Sequence, residues 1–242
     1  MRIRCAAALL LLAIAMPASS ADKRPAAIDA YIAALASVEQ SRAPVSLEPL
    51  LAAAEQAQDA LMALQPDADL AWQETLDDAD FEKLKTELRG LRLSRGYDVY
   101  AQPDGDFLLK LAQAHGQPQD REFFGLYQRF WSADLLPQYL GMGKGTTPCV
   151  RFGEGIMPEL YAGWTAFARK YPRAYVGFTR QTVRDLEEAV ELGTCACGDA
   201  DSVRAELGGF LKQFPKTPAA PQIRKRLVEL KDDPDVRPVQ CR

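Results

Sequence analysis

Apolar residues recur along most of this chain at spacings of three and four, the interval that lines them up on one face of an α-helix. The first such run opens at Pro25, a residue suited to a first helical turn, and carries Ile28, Tyr31, Ile32 and Leu35 before Pro44. Ser46 is placed to cap a second, with the stripe Leu47, Leu50, Leu51, Ala54, Ala57, Leu61 and Leu64, and Pro66 stops it. Residues 77–89 hold a third, with Phe81, Leu84 and Leu88 on its face and Gly90 at its end. Asp104 caps a run carrying Phe107, Leu108, Leu111 and His115, which Gly116 closes, and residues 120–131 bring Phe123, Phe124, Tyr127 and Phe130 to one side. Further runs span 158–171, 173–192, 201–214 and 217–230; Gly193 ends one, and Thr217-Pro218 offers a cap and a first-turn proline to the last.

Two stretches break the pattern. Residues 91–102 alternate as strands do (Leu-Arg-Leu, Tyr-Asp-Val-Tyr), which fits a loop or at most an isolated hairpin. Residues 140–155 hold five glycines and one proline, the longest irregular segment and a natural functional loop or subdomain boundary. The pattern predicts an all-α fold, a stack or bundle of about seven to eight helices that could take the form of a short helix-hairpin solenoid. An N-terminal helical region (22–140) and a C-terminal one (156–242) flank a Gly-rich loop (141–155).

Phe167-x-x-x-Tyr171-Pro172 and Phe210-x-x-x-Phe214-Pro215 repeat one helix ending 43 residues apart. The segment 210–230, with its aromatic-Pro stop and its Ala220-Pro221-Gln222-Ile223-Arg224 helix start, resembles the end of a tetratricopeptide-type array. The likeness covers about twenty residues. The consensus Trp and Gly positions are missing, and no membership follows.

At the N-terminus Arg2 and Arg4 precede an apolar run from Cys5 to Ala15, then Pro17 and the small residues Ser19 and Ala21. This is the charged, apolar and cleavage-site order of a secretory signal peptide, residues 1–21, cut after Ala21. The run is too short to span a bilayer, which takes about 20 residues. Loss of Arg2 and Arg4 from 29 basic residues leaves 27 against 33 acidic ones, a charge of −6. Such a chain does not advertise nucleic-acid binding, and the expected location is a bacterial periplasm or the medium beyond.

Four cysteines survive processing: Cys149, Cys195, Cys197 and Cys241. In an exported chain an even number reads as disulfides. Joining Cys195 to Cys197 would close a strained ring across one residue, so Cys149 takes one of that pair and Cys241 the other. A C-x-C pair fits neither zinc spacing nor a C-x-x-C redox motif, and no metal or cofactor is expected.

Candidate chemistry is thin. His115, the only histidine, sits where an imidazolium meets the negative end of a helix, a capping role. Gly141-Met142-Gly143-Lys144-Gly145-Thr146-Thr147 departs from the phosphate loop: Gln138 stands where its first Gly belongs, Gly145 follows the Lys, and a flexible linker is the better reading. Acids cluster at Asp77, Asp78, Asp80 and Glu82 and at Glu187, Glu188 and Glu191, on faces expected to be solvated. Phe123, Phe124, Tyr127, Phe130, Trp131, Trp164, Phe167, Tyr171, Tyr175 and Phe178 are core by spacing, and any of them left exposed would be a binding anchor. The candidate partner-binding residues are Asp77, Asp78, Asp80, Trp131 and Trp164, an acidic and aromatic surface that would steer a basic protein.

The expected function is an exported, non-enzymatic protein-interaction module of the bacterial envelope, of the kind that inhibits or confers immunity to an exported hydrolase or toxin. Its partner would be another envelope or exported protein. The alternatives are a carboxylate-based cell-wall hydrolase and a small-ligand carrier with an interhelical aromatic pocket.

Overall fold

The computed structural model describes residues 24–65, 69–96, 98–131, 136–143, 147–192 and 195–232. The proposed signal peptide, Cys241, and Lys144, Gly145 and Thr146 lie outside them. The described chain is mostly helical: α1 (Ala26–Glu39), α2 (Glu48–Met62), α3 (Asp78–Glu87), α4 (Gly105–His115), α5 (Pro118–Phe130), α6 (Ile156–Lys170), α7 (Val176–Leu192), α8 (Ala200–Gln213) and α9 (Ala220–Asp232). These nine exceed the expected seven to eight. Even the short α3 forms in full, because Asp77 accepts the Asp80 N–H at its start (2.8 Å), and Gly116 keeps α4 and α5 apart as its C-cap.

Consecutive helices pack in pairs, α1 with α2, α4 with α5, α6 with α7 and α8 with α9; α5 against α6 and α6 against α8 tie the pairs together. One apolar cluster runs from Ile28 in α1 to Leu230 in α9 and is continuous across the 141–155 segment. No described helix is long and apolar enough to cross a membrane.

The segment at 91–102 is a hairpin, β1 (Leu91–Ser94) antiparallel to β2 (Tyr100–Pro103), with Leu91 opposite Pro103. Gly90 leads into it at φ +85°, and a Cβ there would lie 2.6 Å from Phe107 Cδ1 and 2.7 Å from the Tyr31 hydroxyl. Only glycine fits both constraints. The stretch expected to be a flexible linker also holds strands, β3 (Leu140–Met142) and β4 (Pro148–Val150), paired antiparallel. Strands this short, rich in Gly and Pro, carry no alternation to read. Val150 then exchanges hydrogen bonds with the 195–197 segment: its N–H donates to the Cys195 carbonyl (2.7 Å) and its carbonyl accepts the Cys197 N–H (2.9 Å). That register brings Cys149 beside Cys197, and the two form a disulfide with Cα atoms 5.1 Å apart. Cys195 is disulfide-bonded as well.

Several helix starts differ from expectation: α5 and α6 begin two residues early, at Pro118 and Ile156, and α7 begins at Val176 rather than at Arg173. At the start of α2 the Ser46 hydroxyl accepts the Glu48 N–H (3.3 Å), as its placement suggests, and the Leu47 N–H between them goes to Asp120 (3.0 Å). α9 begins at Ala220 rather than near Thr217, whose hydroxyl is instead engaged with Tyr161 (3.0 Å) and Glu187 (3.2 Å).

Candidate functional site

The acidic cluster is not a surface of one sign. Asp77 caps α3, Asp78 pairs with Arg95, and Glu82 pairs with Lys85 (2.7 Å). Asp77 and Asp80 line a surface hollow together with Arg24 and Lys83, so the signs interleave.

Trp164 is fully buried, edge-on to Phe123 with ring centroids 5.5 Å apart. It is a core residue and presents no surface to a partner. Trp131 is half-buried against Phe130 and Tyr127, as are Tyr171 and Phe178 in their own places, while the rest of the aromatic set is buried. Most of the aromatics that could have lined a groove fill the core between α5, α6 and α7, Tyr171 excepted. His115 occupies the last turn of α4, as its spacing suggests.

Between α6 and α7 an open groove of about 560 Å³ remains, with Pro218 of the α8–α9 turn at its side. The α6–α7 turn that shapes its end is held by a buried polar cluster. Tyr175 has a left-handed backbone (φ +50°), unusual for a residue with a side chain. Its ring stacks on Phe123 at 3.6 Å, its hydroxyl donates to Asp120 Oδ1 (2.5 Å), and its N–H donates to Glu48 (3.0 Å). Asp120 is fully buried and also accepts the N–H groups of Leu47 (3.0 Å) and Gln117 (2.8 Å). One carboxylate thereby joins the starts of α2 and α5 to the α6–α7 turn, and strain at Tyr175 is sustained by three anchors.

The floor of the groove is apolar: Ala168, Tyr171, Pro172, Val176 and Val183 contribute. Val176 is 36 % exposed. Arg169, Arg180 and Arg184 rim it, and no ion pair engages Arg169 or Arg180 among the described residues. Arg184 donates to Gln181. The carboxylate in the lining, Glu187, already accepts the hydroxyls of Tyr161 (2.7 Å) and Thr217 (3.2 Å). Thr179 lines the same groove, 3 % exposed, with a hydroxyl that has no hydrogen-bond partner among the described residues. The first turn of α7 carries no acid of its own, and the Glu48 carboxylate on the Tyr175 N–H (3.0 Å) stands at its positive end instead. Apolar floor, cationic rim and an unsatisfied hydroxyl suit an apolar segment that carries carboxylates.

Thr179, Arg180 and Arg184 were not singled out by spacing. Spacing carries little signal for them: Val176 and Val183 continue the stripe of Thr179, Leu186 and Val190 at intervals of three and four, with Val183 half-buried against the core and Val176 exposed at the margin. Comparison of the chain with protein-family models, curated proteins and solved structures finds no match.

Burial of the phenols around this cluster has a measurable consequence. Desolvation raises the pKa of Tyr31, Tyr127 and Tyr175 well above the usual 10, and the hydrogen bond to Asp120 adds to the rise at Tyr175; burial pushes Tyr161 up to about 12. A folded-state pKa above the unfolded one means that the unfolded chain loses its protons first. Stability is therefore complete below pH 10 or so and falls as pH rises beyond it, by about 1.4 kcal/mol per unit for each of the three buried phenols. In an alkaline titration, phenolate absorbance at these sites is expected to appear together with loss of helical circular dichroism; phenolate that appears while the helices persist would contradict this burial.

Proposed function

We propose that the mature chain is an exported interaction module of the bacterial envelope, and that it engages another envelope or exported protein through the α6–α7 groove. The observation that carries this reading is the groove itself, with an apolar floor and arginines that no ion pair engages among the described residues, in a chain whose net charge is acidic. The Cys149–Cys197 disulfide suits an oxidising compartment. The favoured partner segment is acidic and apolar, the reverse of the basic partner that the acidic cluster suggested, because Asp78 and Glu82 of that cluster are paired with Arg95 and Lys85 and cations stand among the rest. An inhibitor or immunity role is one form such a module takes. The groove is partly open rather than an enclosed cavity, which favours a polypeptide over an enclosed small molecule.

Oxidised mature protein, residues 22–242, is expected to retain a stoichiometric partner from envelope extract at low salt and to release it at high salt. Arg180→Glu with Arg184→Glu reverses two rim charges one turn apart and is expected to weaken retention at least about tenfold, since exposed charges act mainly on encounter and specificity. Equal retention by the double variant would remove the groove from the account.

A further inference from the structure

A second groove, of about 530 Å³, lies between α6 and α8 and leads to a buried carboxylate. Glu206 stands in the apolar stripe of α8 among Val203, Leu207 and Phe210 and is 4 % exposed. Its Oε2 accepts the N–H groups of Gly153 (3.0 Å) and Gly155 (2.9 Å), which clasps the turn before α6 onto α8. Its Oε1 is buried and accepts no hydrogen bond among the described residues. A buried carboxylate oxygen without a donor is costly, and a cation or a donor arriving through the groove relieves that cost.

We propose that this groove binds the ammonium group of a lysine side chain on a partner polypeptide, seated on Glu206 Oε1. The single available oxygen decides between the two basic side chains. A guanidinium forks onto both oxygens of a carboxylate, and here the second is already held by two backbone N–H groups; an ammonium is a compact point charge that needs one. Ala162, Ala205 and Gly209 give the groove small side chains along which the methylene stem can lie. Glu159, exposed at the margin, adds a second negative charge, partly offset by Arg129 at 4.0 Å. The proposal is independent of the α6–α7 reading, and either can fail alone.

The test is a titration of ¹⁵N-labelled mature protein with an N-acetylated, C-amidated tri-lysine peptide, read at the Gly153 and Gly155 amides, which share the carboxylate. Saturable, salt-suppressed shifts with an affinity near 1 mM are expected, in the range of one well-placed charge-assisted contact. Glu206→Gln keeps a carbonyl oxygen for both glycine N–H groups and places an amide N–H₂ where Oε1 stood, so it is expected to fold and to bind at least about tenfold more weakly. Gly209→Leu decides the matter should Glu206→Gln fail to fold: a Cβ at 209 meets nothing within 4 Å, so the side chain fills the groove without a clash, and binding is expected to be lost. The proposal is overturned by the absence of saturable shifts up to about 10 mM peptide, by undiminished binding in either folded variant, or by equal binding of an ε-acetyl-lysine or tri-arginine peptide.

Discussion

Asp120→Ala is expected to lower the unfolding free energy by about 4 kcal/mol, a large part of the 5–15 kcal/mol that holds a typical domain together. The carboxylate is fully buried, and its removal leaves the Leu47 and Gln117 N–H groups and the Tyr175 hydroxyl without their acceptor. Each buried donor left unpaired costs about 1–3 kcal/mol. Two gentler changes separate the contributions. Asp120→Asn keeps one oxygen for Leu47 and Tyr175 but turns an amide N–H₂ toward the Gln117 N–H, and about 2 kcal/mol is expected. Tyr175→Phe keeps the stack on Phe123 and loses only the hydroxyl, and a cost of about 1.5 kcal/mol is expected. Urea unfolding of the three variants checks the order. An Asp120→Ala protein as stable as the parent would mean that the carboxylate does not join the α2 and α5 starts to the α6–α7 turn.

Loss of the Cys149–Cys197 bridge has a comparable effect by another route. The bridge links residues 48 apart and encloses the α6–α7 hairpin. A loop of that size restricts the unfolded chain by about 4 kcal/mol on the chain-entropy account. In a domain of about 200 residues this corresponds to a fall of roughly 10 °C in Tm. Cys149→Ser with Cys197→Ser is the cleaner test, because reduction also acts on Cys195. The predicted pattern is loss of stability with retained helix content at 20 °C or so, since the buried stripes of α6 and α7 do not depend on the sulfurs. An unchanged Tm would show that native strain or residual unfolded structure cancels the constraint.

The helices were legible because each carries its own instructions: a stripe at spacings of three and four, an aspartate such as Asp104 at the start, a glycine such as Gly116 at the end. What could not be read depends on residues far apart in sequence. Asp120 looks like an ordinary acid in a first helical turn, yet it meets Leu47 across 73 residues and Tyr175 across 55. The same competition moved the start of α9, since the Thr217 hydroxyl found tertiary partners in Tyr161 and Glu187. Cysteine spacing narrowed the pairing to two possibilities, and only the register of Val150 against 195–197 puts Cys149 beside Cys197. Trp164 misleads as an anchor because composition favours tryptophan at interfaces, whereas its place among Leu160, Tyr161 and Phe167 is the middle of a buried stripe. Glu206 is the opposite case, an acid on an apolar stripe, and an acid in such a place is a local signal that the side chain is held there by particular donors.

The central claim is that a partner protein covers the α6–α7 groove. Oxidative footprinting of the mature chain, free and with the captured partner, tests it most directly. The account predicts that labelling of Tyr171 and Val176 falls on binding while the exposed Leu64 and Leu70, which follow α2 and do not line the groove, remain labelled as before. Unchanged labelling at Tyr171 and Val176, with protection at Leu64 and Leu70 instead, would contradict it.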